Sequence, residues 1–252
     1  KDYIELEHTL FNRGFYNRDI NSSRYPALSP VVELLVKERD GIISSAELDQ
    51  ELNRLAQYDV RDQAEKYFYR NSIKKQTSLS IRGGSEKHEY YLSGGLDKNL
   101  ENRDGNELNR ITLVSNNTFR PLKDLELRLG INLTNQKQTF NGSSWGNKGT
   151  ELPYNRFADV SGQWLTVTNE LRSTYLDEAE SNGLLDWHYR PLQEKALRDV
   201  VTRTTDYRID LGIGYDFFQY FNIDFKYQYL RSDGKFRNRQ DKDSYLIRHE
   251  VN

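Results

Sequence analysis

The sequence predicts an all-β fold: an antiparallel sheet of about seven strands that forms part of a large transmembrane β-barrel, preceded by a mostly helical region. Three observations carry that expectation. Hydrophobicity alternates with period two through most of the chain after residue 73, as in strands with one apolar and one polar face. The connections between these segments alternate between tight and long. The segments run about 10–14 residues, beyond the roughly 5–6 of ordinary strands and close to the ~9–11 tilted residues that cross a bilayer.

Residues 1–73 read as helix and loop. Ser29-Pro30 opens a helical run to Lys37 that Gly41 ends, and Ser44/Ser45 followed by Glu47 caps a second run in which Leu48, Leu52 and Leu55 repeat at helical spacing. A third short helix is expected within Asp59 to Arg70. From residue 74 to 252 the expected strands are 75–83, 88–97, 108–119, 125–134, 207–216, 223–229 and 244–252. The strictest are Leu125, Leu127, Leu129, Ile131 and Leu133 against Glu126, Arg128, Gly130, Asn132 and Thr134; Tyr207 to Tyr215 against Arg208 to Asp216; and Ile223 to Tyr229 against Asp224, Lys226 and Gln228. Turns at 84–87, 120–123 and 218–220 are tight, whereas the connections 98–107, 138–203 and 232–243 are long. In a meander this places all tight turns at one end and all long loops at the other.

Composition excludes several classes. There is no cysteine, hence no disulfide framework, thiolate zinc site or cysteine nucleophile. A net charge of −2 gives no electrostatic case for a nucleic-acid partner. Aromatic residues make up 12% of the chain, too many for disorder. A chain that starts at Lys1 and holds no Met is expected to be a piece of a longer one. No apolar run is long enough for a membrane-spanning helix, so a membrane would be met by strands.

Period-two alternation fits a soluble sandwich as well as a membrane barrel. Strand length, the order of the loops and the aromatic cluster Phe217-Phe218-Gln219-Tyr220-Phe221 at a tight turn favour the barrel. The charged row would then face a wet lumen, where Glu126 and Arg128, Arg208 and Asp210, and Asp224 and Lys226 are expected to pair across strands.

No motif carries catalytic chemistry, and the chain is expected not to be an enzyme and to need no cofactor. Gly212-Ile213-Gly214 lacks the third glycine of a dinucleotide loop and reads as small residues on a strand. The acidic stretch Asp97 to Asp104 has Asn102 at the glycine position of a calcium loop and Leu108 at the bidentate-glutamate position. His8, His88, His188 and His249 are scattered, so no metal site is expected. Lys66-Tyr67-Phe68-Tyr69-Arg70 mixes bases and rings but reads as loop packing. The connection 138–203 exceeds the ~12–15 residues beyond which loops are usually functional or disordered. Its Trp145, Tyr154, Trp164 and Trp187 are the candidate ligand or lid contacts, because such rings stack on sugars or apolar peptide side chains.

The run Gln76 to Lys87 (Gln-Thr-Ser-Leu-Ser-Ile-Arg-Gly-Gly-Ser-Glu-Lys) with Tyr90-Tyr91-Leu92-Ser93-Gly94-Gly95-Leu96-Asp97 resembles the first barrel hairpin of SusC/RagA-like TonB-dependent outer-membrane transporters. Glu151 to Asp159, Gly183 to Leu192 and Tyr227-Gln228-Tyr229 are similar to a later extracellular loop and its flanking strands. Leu10 to Tyr16, Leu28 to Val32 and Asp59 to Asp62 resemble the first loop. The resemblance implies an early segment of a 22-strand barrel, with 1–73, 98–107, 138–203 and 232–243 extracellular. It further implies import of a glycan or peptide across the outer membrane of a Bacteroidetes-type bacterium, a SusD-like surface lipoprotein as lid, and energy from a TonB complex acting through regions outside this chain. The alternatives are a soluble carbohydrate-binding β-sheet module and a surface structural or adhesion protein.

Overall fold

The computed structural model describes residues 1–143 and 152–252. They form two compact units. One comprises Lys1–Arg70, Gly142–Arg198 and Gln240–Asn252; the other comprises Asn71–Asn141 and Asp199–Arg239.

The second unit is a six-stranded antiparallel meander, each strand pairing with its sequence neighbours. Its strands are β1 (Ile73–Gly84), β2 (His88–Leu100), β3 (Asn106–Leu122), β4 (Leu125–Phe140), β5 (Asp199–Phe217) and β6 (Phe221–Arg239). Tight connections join Gly84 to His88, Leu122 to Leu125 and, through a 3-10 turn at Phe218–Tyr220, Phe217 to Phe221. At the opposite end Ile73 pairs with Leu100, Asn106 with Phe140 and Asp199 with Arg239, and the longer connections leave from there. The alternation of tight and long connections is therefore present, but residues 98–100, 106–107, 120–122, 138–140 and 199–203, expected in connections, lie in β2, β3, β4 and β5, and two further stretches differ more. Residues 244–252 form no strand: Tyr245–Val251 is helical. The apolar run Tyr245-Leu246-Ile247 suits either state, and the helix is fixed by tertiary contacts of Arg248, whose guanidinium reaches the Asp186 carbonyl at 2.6 Å. Residues 232–239, expected within a loop, extend β6 instead, in register with Asp206 to Asp199. Backbone pairing and the Arg237–Asp199 ion pair at 2.7 Å hold this stretch, in which Arg, Asp and Lys replace the apolar members of the alternation.

Register places Leu127, Ile213 and Phe225 in one row, Leu129, Leu211 and Tyr227 in the next, and Ile131, Ile209 and Tyr229 in a third. All project from one face, since side chains two apart share a side. Of the buried hydrophobic residues described, Val201 alone belongs to a strand of this sheet; Leu79, Ile81, Leu113, Ile213 and Phe225 are among those left exposed. The sheet thus has an apolar face that no described residue covers.

The first unit has an ordinary dry core. Its helices are α1 (Asp2–Asn12), α2 (Asn17–Ile20), α3 (Pro30–Arg39), α4 (Ser45–Leu55), α5 (Val60–Phe68), α6 (Ser173–Ser181), α7 (Pro191–Leu197) and α8 (Tyr245–Val251). The capping signals act as their residue types dictate. Ser29 Oγ accepts from Val32 N–H at 3.1 Å with Pro30 at the first helical position, and Ser44 and Glu47 close a reciprocal capping box. Asp59 caps α5 through Arg61 N–H at 2.8 Å. α3 packs two ways, Val31 and Leu35 against Ile4, Leu48 and Tyr154, and Val32 against Ile20 and Leu28. Val60, Ala64 and Phe68 of α5 meet Phe157, Val167 and Leu192, so the early helices and the 152–198 segment share one core.

Phe157 is fully buried, edge-to-face on Phe68 at 5.0 Å. Phe157→Ala should therefore destabilise this unit by about 3–5 kcal/mol, read as a lowered denaturant midpoint by tryptophan fluorescence.

Candidate functional site

The polar face of the sheet is built by the other half of the alternation. Asn116 and Thr118 of β3, Arg128 of β4, Asp210 of β5 and Lys226 and Gln228 of β6 line a hollow on it. The three expected pairs form, but along single strands and not across strands as expected, because residues two apart share a face: Arg128 Nε lies 3.6 Å from Glu126, Arg208 Nε 3.1 Å from Asp210, and Lys226 Nζ 3.3 Å from Asp224. Others cross strands. Arg110 meets Asp97 at 2.7 Å, Arg120 joins Glu89 at 2.6 Å to Glu126 at 2.9 Å, and Gln228 donates to Asp210 at 2.6 Å. Arg128 also reaches beyond its neighbouring strand to pair with Asp224 of β6. Its register partner on β5 is Gly212, where a Cβ would stand 2.8 Å from Arg128 Nε. The missing side chain is the passage through which the guanidinium crosses. Gly212 thus serves side-chain passage.

The four candidate contact residues occupy different settings. Trp145 lies outside the described residues. Tyr154 is buried in the helical core, and its hydroxyl donates to Glu7 Oε2 at 2.7 Å. Burial pushes the Glu7 carboxyl above its ordinary range, against the hydrogen bonds it accepts from Ser29 and Tyr154, and burial and Glu7 together raise the Tyr154 hydroxyl. Trp164 is exposed on a short bridge to Ala158. Trp187 donates from Nε1 to His249 Nδ1 at 2.9 Å and, with Tyr189 and Tyr245, lines a hollow of about 180 Å³ whose polar members include Glu33, Asn169 and Glu170. Tyr189 and Tyr245 meet edge-to-face at 5.3 Å. Trp164 is exposed and Trp187 half-buried, whereas Tyr154 serves the core.

One cluster escaped the sequence reading. His188, 8% exposed, faces Asp186 Oδ1 at 3.0 Å and Glu180 Oε2 at 3.9 Å through Nδ1, and Asp177 Oδ1 at 3.3 Å through Nε2. Arg190 and Arg248 hold the other Asp186 oxygen at 2.5 and 3.1 Å. Burial would raise the Asp186 carboxyl, but hydrogen bonds from Arg190 and from the His188 backbone and side chain outweigh it and bring it down to about 2. The Asp186-x-His188 spacing, placed after the acidic helix α6, is the signal that could have pointed here.

No family model and no curated protein matches the sequence. Solved structures do. A chain of the RagAB peptide importer in the "closed-closed" state superposes with a TM-score of 0.56 at 14% identity, over 75% of this chain and 20% of that one. The chain folds like a fifth of an importer chain. A second structure, of the RagAB peptide transporter, gives 0.55 at 13% identity over 73% of this chain and again 20% of its own. The likeness concerns the fold, and this chain spans about one fifth of the length of either neighbour.

Two outcomes follow. Because the folded-state Glu7 carboxyl is raised, its ionisation opposes folding as pH rises through and above the unfolded carboxylate value. Glu7→Gln should therefore leave the denaturation midpoint unchanged near pH 4 and raise it at pH 7. In Gly212→Val, Arg128 should lose its path to Asp224: the coupling that a double-mutant cycle between 128 and 224 measures in the parent should be absent in that background.

Proposed function

We propose that the chain is a section of the barrel wall of a SusC/RagA-like TonB-dependent transporter in the outer membrane of a Gram-negative, Bacteroidetes-type bacterium. The transporter imports a peptide or glycan under a SusD-like lipoprotein lid. The observation that carries this reading is the sheet itself: one face apolar and uncovered, the other lined with paired charges. In water such a face would drive aggregation. Against lipid it is the stable arrangement, with the charged face turned to a wet lumen. Leu125 to Leu133 is nine residues long and spans about 27 Å of strand at roughly 3.3 Å per residue, near the ~25 Å apolar band of outer-membrane barrels. The structural likeness to RagAB importer chains supports the same reading.

The free edges of β1 and β6 fit it as well. An open sheet in lipid leaves unsatisfied N–H and C=O groups along each edge, so further strands must continue the wall on both sides. The wall does no covalent chemistry; it supplies an apolar belt, a polar lining and the anchorage of the loops that meet substrate and lid. Trp164 and Trp187 are the ring surfaces assigned to that contact.

In the transporter that carries this chain, single cysteines at Glu126, Arg128 and Asn132 should react with a membrane-impermeant thiol reagent, while those at Leu127, Leu129 and Ile131 stay protected in the membrane. Equal reaction of both sets would favour a soluble β module. Leu129→Arg should cost about 2–4 kcal/mol if it lies at the midplane, measured by urea titration of folding into bilayers.

A further inference from the structure

His188 is nine-tenths buried, and carboxylate oxygens face both of its ring nitrogens. A neutral imidazole carries one N–H and one lone pair, whereas an ionised carboxylate only accepts. One of the two nitrogens therefore points a lone pair at an acceptor, an arrangement that calls for a cation between them. At Nε2 the single acceptor Asp177 Oδ1, 3.3 Å away, suits an N–H donor. At Nδ1 two carboxylates converge, Asp186 Oδ1 at 3.0 Å and Glu180 Oε2 at 3.9 Å. The three donor atoms lie within 4.8 Å of one another, a spacing that one metal ion can bridge.

We propose that His188 Nδ1, Asp186 Oδ1 and Glu180 Oε2 form a site for a divalent transition-metal cation, zinc foremost, with a fourth position open to water or a ligand group. One imidazole and two carboxylates suit zinc and its neighbours, whereas calcium and magnesium take oxygen ligands only. The surroundings match what such a site needs. Nε2–H directed at Asp177 fixes the tautomer that leaves Nδ1 free, the carboxylate–histidine–metal arrangement. Arg190 and Arg248 hold Asp186 Oδ2 and so turn Oδ1 toward the site. Among the groups in ionic contact there, Asp177, Glu180, Asp186 and Glu194 stand against Arg190 and Arg248, and the two excess negative charges equal what a divalent cation neutralises. The bound ion would fasten α6 to the segment that follows Gly183, and through Asp186 and Arg248 to α8.

Isothermal titration of ZnCl2 into the detergent-solubilised transporter that carries this chain, at pH 7.5, should show zinc binding at this site. His188→Ala should abolish it. Glu180→Gln, at a half-exposed position that the fold does not depend on, should weaken it at least tenfold, and Asp177→Asn, which disturbs only the outer contact, should weaken it by about 10–100-fold. A large molar excess of CaCl2 should not compete. Zinc affinity unchanged in both Glu180→Gln and His188→Ala would overturn the proposal. So would absence of zinc binding; an imidazole nitrogen spectrum showing His188 doubly protonated at pH 7.5 would then identify a proton as the cation between the carboxylates.

Discussion

Everything in the sheet follows from one constraint: a strand cannot turn two successive side chains to the same side, so a sequence that alternates apolar and charged residues must give each class its own face. In β4 that constraint separates Leu125 to Leu133 from Glu126 to Thr134, and register carries the separation onto β3, β5 and β6. Among the described residues, burial in protein satisfies neither face. The helical unit shows what this sequence does when it builds a dry core: Phe68, Phe157, Val31 and Val32 are almost wholly enclosed there. The contrast between two units of one chain argues that the sheet's exposure is a property of its design.

The charged face is stabilised differently. Its ion pairs are half-exposed, and each contributes little by itself. Their arrangement matters more than their sum, because Arg120 and Arg128 each join carboxylates on two different strands and so oppose sliding of one strand past another. In the helical unit the Tyr154–Glu7 bond and the Arg248–Asp186 contacts connect segments far apart in sequence and close the long connections into folded structure.

Much of this was legible beforehand. Period two located β4 to β6 most strictly, because the apolar member of each pair is a strong hydrophobe, and β1 to β3 more weakly; the Ser-Pro and Ser-x-x-Glu signals located α3 and α4 because capping is local chemistry. What stayed hidden depends on distant partners. The second half of β6 has no apolar alternation to reveal it. Tyr245-Leu246-Ile247 reads alike as strand or helix until Arg248 finds Asp186. Tyr154 looked like a contact ring because nothing near it in sequence announces Glu7. The His188 cluster draws on α6, the segment after it and α8, and no linear spacing contains all three.

The crossing of Arg128 over Gly212 has a bearing on how such a wall can change over evolutionary time. Three positions on three strands are locked into one choice. A side chain gained at 212 strands the guanidinium at 128, and with it one of the carboxylate partners at 224. Filling 212 is therefore coupled to the side chain at 128, which must move aside or shorten. In a collection of homologous sequences the trio should be inherited together, long with bare or short with branched, and mixed combinations should be scarce.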